Sequence, residues 1–566
     1  MTDRHGSTNA DLLLQNGRIL DVFGGRFREG DLAVRDGRIS GFGAETAEET
    51  LDLEGAWVVP GLIDAHVHIE SSQLTPGAFA RAIVPLGTTA VVADPHEISN
   101  VLGLEGIRYL LQASEDLPLA VFLMAPSCVP SCAFESAGAT IGPEEIAEIL
   151  TWERVLGLGE MMNYPGVVHG DPDVLTKLAV AEGRPIDGHA PGLSGADLWT
   201  YVTAGPRTDH ECTTVEEARE KLAAGLRILI REGTTARNLD ALLPILDART
   251  SPFVHFCTDD RHPESLFDEG HLDDLLRRAI AAGVAPEVAI ASATIHTART
   301  YGLDDRGALA PGYRADFVVL SDLESFAVRE VYAGGVRVAL ERRPLFDVPA
   351  VCSDAVRGTV RIDPSKLPFD LPARGPEVPV RVIEAQGTQV VTGSGEARIP
   401  VVDGNAVSDP SADLLKIAVI ERYSGAQRVG VAFVQGFGLT RGALASSVAH
   451  DAHNVVVVGV EDREMHAAVS ELVRLGGGQV AVDGDRVAAS LPLPIAGLMT
   501  DGELAETAEQ ARALSRAAAA LGCRLPAPFA TLSFMALPVI PHLKLTDRGL
   551  VDVDRFAFVS PFVGED

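Results

Sequence analysis

The chain has 566 residues, room for about three to five domains of ordinary size, or fewer if one is a large barrel. It is 46% hydrophobic and 22% charged, the balance of a globular chain with a sizeable core. With 47 basic residues against 79 acidic ones the formal charge is −32 at pH 7, which repels phosphate backbones and anionic lipid, so neither nucleic-acid binding nor membrane attachment is expected.

Residues 1–10 are polar and lack the apolar core of a signal peptide, and no apolar run approaches the roughly 20 residues of a membrane span. Six cysteines are too few for a disulfide framework, so a reducing cytoplasm is the expected location.

In chain order, residues 11–43 alternate short apolar runs with the turn pairs Asn16-Gly17, Gly24-Gly25 and Asp36-Gly37, which suit tight hairpins. The same texture returns at 307–338, with the run 315–320 and the Gly334-Gly335 turn. Residues 1–58 plus 305–345 are therefore predicted to form one discontinuous small β-domain.

Between them, over 59–304, buried-looking strands alternate with helical stretches, as βα units require. The predicted strands are 63–68, 90–94, 120–125, 155–160, 185–189, 207–210, 227–231 and 253–258, the count and size of a (β/α)8 barrel. All but one of the eight end on or just before a histidine or carboxylate, where such a barrel carries its catalytic groups. Residues 346–379, rich in proline and arginine, read as a linker. Residues 380–566 read as a separate C-terminal α/β domain, with strands at 455–458 and 556–559 and an alanine-rich helix at 506–521. The fold class is α/β.

The chemistry begins at His66-Val67-His68. Residues i and i+2 of a strand share a face, so both imidazoles can grip one metal ion. Alone the pattern is weak, but further strands end in Gly159-Glu160, Asp187-Gly188-His189, Thr208-Asp209-His210 and Cys257-Thr258-Asp259-Asp260. His66, His68, Glu160, His189, His210 and Asp259 suffice for two metal ions with an open position for water. Zinc deaminases of the His-x-Glu, Pro-Cys-x-x-Cys kind are a weaker fit: His68-Ile69-Glu70 meets the first half, but Cys128 and Cys132 are spaced wrongly.

The ordered set of strand-one His-x-His, strand-four carboxylate, histidines on strands five and six and strand-eight Asp resembles the amidohydrolase superfamily, as does the approach Val58-Val59-Pro60-Gly61-Leu62-Ile63-Asp64. Several phrases are similar, more narrowly, to bacterial adenine deaminases of the two-metal type. They are Ala93-Asp94-Pro95-His96-Glu97, Gly157-Leu158-Gly159-Glu160-Met161-Met162-Asn163, Asp187-Gly188-His189-Ala190-Pro191-Gly192, Thr258-Asp259-Asp260-Arg261 and Ser446-Ser447-Val448-Ala449-His450-Asp451-Ala452-His453-Asn454. The resemblance spans nearly the whole chain. Many two-metal relatives bridge their ions with a carbamylated lysine from strand four. Here the nearest lysine, Lys177, lies seventeen positions beyond that strand, so Glu160 takes the bridging role.

The resemblance implies hydrolytic deamination of adenine to hypoxanthine and ammonia, by a hydroxide held between two divalent metals. Asp259 would bind a metal and move the hydroxide's proton to the leaving nitrogen. Glu97, His96 and Asp260 are the candidates for protonating N1 or holding the base, and the sequence does not rank them. Imidazole and carboxylate ligands suit Mn²⁺, Fe²⁺ or Zn²⁺, and the resemblance favours Mn²⁺ or Fe²⁺. Adenine and water are the expected partners, and a homo-oligomer, dimer or higher, is expected. The main alternative is an amidohydrolase that opens a cyclic amide or removes an acyl group. Left open are an accessory metal near His96 and Glu97 and the role of His450, Asp451 and His453.

Overall fold

The computed structural model describes residues 9–42, 46–349, 351, 354–387 and 391–565. The polar stretch 1–8 and positions 350 and 352–353 of the predicted linker lie outside them.

Eight parallel strands follow one another through the middle of the chain: Leu62–Val67, Thr88–Ala93, Ala120–Ala125, Val155–Met161, Ile186–Gly188, Thr208–Asp209, Arg227–Arg231 and Val254–Cys257. The first five make one sheet in chain order and the last three another. Arg207 N–H donates to Ile186 O at 2.9 Å where the two meet. The eighth strand closes on the first through Asp259 N–H to His66 O (3.0 Å) and His68 N–H to Asp259 O (3.3 Å). The result is a (β/α)8 barrel, as expected. Its strands are buried on both faces, which is why they read as nearly continuous apolar runs.

A local irregularity aims the first two histidines. Ile63 and Ala65 belong to the inner cluster with Ala90, Val92 and Met124. Asp64 pairs with Val91, but Val67 pairs with Ala93, so strand one carries one extra residue there. Such a bulge re-aims side chains, and it passes the inward face from Ile63 and Ala65 to His66 and His68.

The two flanking β segments form one sheet: Trp57–Pro60 pairs with Phe317–Asp322, joining strands from before and after the barrel. The Asp36-Gly37 turn has φ of 51° and 70°, the left-handed pair that a two-residue hairpin needs.

The C-terminal region is built on another mixed sheet. In its central strand Leu415–Ile420, Ile417 and Val419 face a cluster containing Leu514 of helix Leu504–Ala520. Ala418 and Ile420 face a cluster with Met465 of helix Asp462–Leu475. That alternation is the period of two expected of a strand sandwiched between helices. The stretch read as a linker does more than connect, since Ile362, Leu367 and Phe369 are buried in this second cluster.

The C-terminal domain sits on the barrel mouth. Ile495, Ala496, Leu498 and Met499 join the barrel's own core cluster. Thr500 N–H donates to Gln73 O (2.8 Å) and Thr75 N–H to Thr500 O (3.0 Å), just after strand one. No helix among the described residues is long and apolar enough to cross a membrane.

Candidate metal centre at the barrel mouth

The side chains that end strands one, four, five, six and eight converge. His66 Nε2 and His68 Nε2 stand 3.2 Å apart. Asp259 Oδ1 is 3.3 Å from the first and 3.2 Å from the second, and Glu160 Oε1 is 3.2 Å from His68 Nε2. The other oxygen of Glu160, Oε2, faces His189 Nδ1 at 2.7 Å and His210 Nε2 at 3.3 Å. The carboxylate thus stands between two lobes, each with two imidazoles. All these groups are buried except His189, whose side chain keeps 25% of its exposure.

The donor chemistry calls for cations. His68 Nδ1 lies 2.9 Å from Asp94 O, and a carbonyl only accepts, so Nδ1 carries the hydrogen. In a neutral ring Nε2 is then a bare lone pair, facing another imidazole nitrogen and two carboxylate oxygens at 3.2 Å. Acceptors packed that closely in a buried site repel unless something positive lies among them. Ligands about 2.1 Å from a metal in tetrahedral or octahedral array stand about 3.0–3.4 Å apart, which is the spacing found.

Local structure fixes these groups. Asp94, just past strand two, accepts from Glu160 N–H at 2.8 Å and from His96 N–H at 3.2 Å. A Cβ at Gly159 would lie 2.2 Å from Asp94 Oδ2, so that position admits only glycine. Asp259 has φ of 52°, a left-handed conformation strained for a side-chain-bearing residue.

Of the other predicted site residues, His96 lies beside the centre, with Nδ1 3.6 Å from Glu160 Oε1 and its ring edge-on to His68 at 4.6 Å. Glu97 follows it, with Oε1 3.5 Å from His96 Nε2 and no contact to the metal-facing atoms among the described residues. Asp260 is turned to the rim, where Ser71 Oγ donates to its Oδ1. Lys177 is engaged elsewhere, donating to Ser127 O at 3.2 Å. Cys128 is buried, and burial pushes its thiol pKa up.

Two residues of the centre escaped the sequence reading. Arg231, which ends strand seven, donates to Asp259 Oδ2 at 2.9 Å and grips both oxygens of Glu211. Glu211 Oε1 in turn stands 3.5 Å from His189 Nδ1 and 3.4 Å from His210 Nε2. Burial alone would raise the Asp259 and Glu211 carboxyls. Arg231 and the surrounding histidines outweigh it and hold both well below the usual carboxylate range. The signal was available: the rule that strand ends carry function applied to Arg231 as well as to acids and histidines, and Glu211 directly follows His210.

Residues 57–338 match the amidohydrolase family, and residues 389–557 match the adenine deaminase C-terminal domain. The adenine deaminase of Desulfatibacillum aliphaticivorans is 48% identical over 562 residues, covering 98% of each chain. That of Nitratidesulfovibrio vulgaris strain DP4 is 49% identical over 560 residues, 98% of this chain and 97% of the relative. That of Methanothrix thermoacetophila is 47% identical over 561 residues, 99% and 98%. Amidohydrolases use divalent metals, and the donor set described above suits them. With likeness of that depth running from the β-domain through the C-terminal domain, the chain belongs to the adenine deaminase family of the amidohydrolases.

Proposed function

We infer that the chain hydrolyses adenine to hypoxanthine and ammonia. The observation that carries this reading is the full-length likeness to curated adenine deaminases, C-terminal domain included. The buried cluster of lone-pair donors supports it, since that is a site for divalent cations rather than for a covalent intermediate.

His66, His68 and Asp259 would hold one divalent ion and His189 and His210 a second, with the Glu160 carboxylate available to both. Imidazole and carboxylate donors without thiolate fit Mn²⁺ or Fe²⁺ first and Zn²⁺ next. A pair of such ions, when bound, brings the pKa of water down towards neutrality. Asp259 is the group that moves a proton from water to the amine at C6, because an amide anion is a very poor leaving group. Arg231 keeps Oδ2 of that carboxylate occupied and its Oδ1 turned to the reaction side. Attack at C6 drives electron density onto N1, which takes up a proton from the His96 and Glu97 side of the mouth. Asp260, at the rim, binds the base.

The test is ultraviolet assay of purified protein on adenine, adenosine and a cyclic imide, with metal analysis on the same preparation. Turnover of adenine at about two divalent ions per chain is expected, with adenosine a poor substrate because ribose replaces the N9 hydrogen. Hydrolysis of the imide without deamination of adenine would overturn the assignment.

A further inference from the structure

Glu97 is the meeting point of the barrel and the C-terminal domain. It lies in the first turn of helix His96–Leu102, after strand two. Its Oε1 is 2.7 Å from His450 Nδ1, and its Oε2 is met by His453 Nε2, partners more than 350 residues away in sequence. Three ligand-type atoms so close together could be taken for a third cation site.

The tautomers point elsewhere. Ala449 N–H donates to His453 Nδ1 at 3.2 Å, so Nδ1 is an acceptor and the ring hydrogen is on Nε2, aimed at Glu97. That nitrogen has no lone pair for a metal. Burial, then His450 and the Arg422 guanidinium, outweigh the pull of Glu97 and push His453 down to about 4, so it stays neutral. His450 is the opposite case. Burial opposes its charge, but Glu97, Asp260 and Asp451 outweigh it and raise the imidazole to about 9. The other titratable groups that face it are His262 and His453. Its ring stacks on Phe534 (centroids 4.9 Å, 17° between planes), and its backbone N–H donates to Ser533 Oγ at 3.2 Å, so helix Pro528–Phe534 holds it in place. A neutral donor on one oxygen and an imidazolium on the other leave Glu97 between a fixed anchor and a removable proton.

We propose that the C-terminal domain provides the proton taken up by the purine ring, His450 holding it against Glu97, Glu97 handing it to N1, and His453 anchoring the second oxygen. This rests on the deamination reading. Glu97 is then the catalytic acid, and His450 and His453 are positioning residues that act through it. Burial would raise the Glu97 carboxyl, but His450, His453 and His96 outweigh it and hold it well below the usual carboxylate range, so it rests ionised. As attack at C6 pushes the C6–N1 π pair onto N1, the N–H bond at His450 Nδ1 breaks, an O–H bond on Glu97 forms and breaks in turn, and an N1–H bond forms. The proton stays on N1 in hypoxanthine. One of the two hydrogens of the consumed water recharges His450, and the other leaves with ammonia, so atoms and charge balance over each turnover.

The test compares variants of the full-length, metal-loaded enzyme with wild type. His450→Asn keeps a donor near the Nδ1 position but carries no removable proton. It is expected to lower kcat about 100-fold, the lower range of acid–base contributions, with KM within about threefold and two metals per chain retained. Wild-type kcat is expected to fall as pH rises through about 9, where His450 loses its proton, and that fall is expected to disappear in this variant. His453→Gln, which keeps a donor at the Nε2 position, is expected to retain at least about tenfold more kcat than His453→Leu. Near-wild-type kcat in His450→Asn overturns the proposal. So does a loss of kcat with the alkaline limb unchanged, which is a structural effect, or a loss in step with bound metal, which is a ligand's signature. Wild-type enzyme that fails to deaminate adenine defeats the underlying reading instead, and the proposal with it.

Discussion

Two buried carboxylates, Glu160 and Glu97, each sit between histidines, yet the two clusters are built for different cargo. Around Glu160, the His68 ring donates from Nδ1 to a backbone carbonyl and turns a lone pair inward. Around Glu97, the His453 ring accepts a backbone N–H at Nδ1 and turns a hydrogen inward. The same two residue types therefore make a cation cage in one place and a proton-holding clamp in the other. What decides is the main-chain atom behind each ring, a carbonyl or an amide.

The sharpest way to break this comparison is to make one substitution in both clusters. Glu160→Gln removes the charge that faces both lobes, and is expected to abolish deamination together with two-metal occupancy, measured by metal analysis and adenine turnover. Glu97→Gln is expected to lower kcat about 100-fold with both metals in place. If both variants lose metal alike, or both keep it, the distinction between the clusters falls.

Asp259→Asn probes the boundary between metal binding and proton transfer. Losing a base that acts in the transition state cuts kcat and kcat/KM by about 100-fold or more, with a far smaller effect on KM. Steady-state kinetics on adenine checks this. A change confined to KM would make Asp259 a binding residue.

The eight predicted strands and the residues that end them were legible in the sequence for a physical reason. Parallel strands buried on both faces leave uninterrupted apolar runs, and a histidine or carboxylate closing such a run stands out. The paired β segments were legible through their turns, as at Asp36-Gly37. What was not legible depends on the fold itself. Counting by twos from His66 would turn Asp64 inward, but the bulge places Ile63 and Ala65 there. The position of Arg231 at a strand end was legible, but its partner was not: the pairing of strand seven with strand eight, Arg231 opposite Cys257, sets its guanidinium against Asp259. His450 and His453 could be singled out but not placed, because their partner lies in another domain. Ring tautomers follow from main-chain contacts that no residue pattern encodes.

The smallest expected effect lies at a third histidine, His255, on strand eight but away from the mouth. It is fully buried, its Nε2 bonds Thr300 Oγ1 at 2.8 Å, and burial, then His296 and Arg227, push it down to about 3. Unfolded, it titrates near 6.5, so below that pH the unfolded chain binds a proton the folded chain refuses. This contribution to stability is present above about pH 6.5 and is lost as pH falls towards 3, by at most about 1.4 kcal/mol per pH unit. Thermal melts of His255→Gln between pH 4.5 and 7.5 are expected to show a shallower acid dependence than wild type. An equal slope would show that His255 does not stay neutral in the fold.

The contact of Ile495, Ala496, Leu498 and Met499 with the barrel core has a consequence for synthesis. The last barrel strand ends at Cys257, so the whole barrel is translated well before the residues that complete its packing. At about 5–20 residues per second, the nascent barrel waits on the order of ten seconds or more with part of its apolar interior uncovered. A transcript or protein cut short between the β-domain and residue 495 would yield a chain left in that exposed state, a natural client for chaperones and proteases rather than a smaller working enzyme.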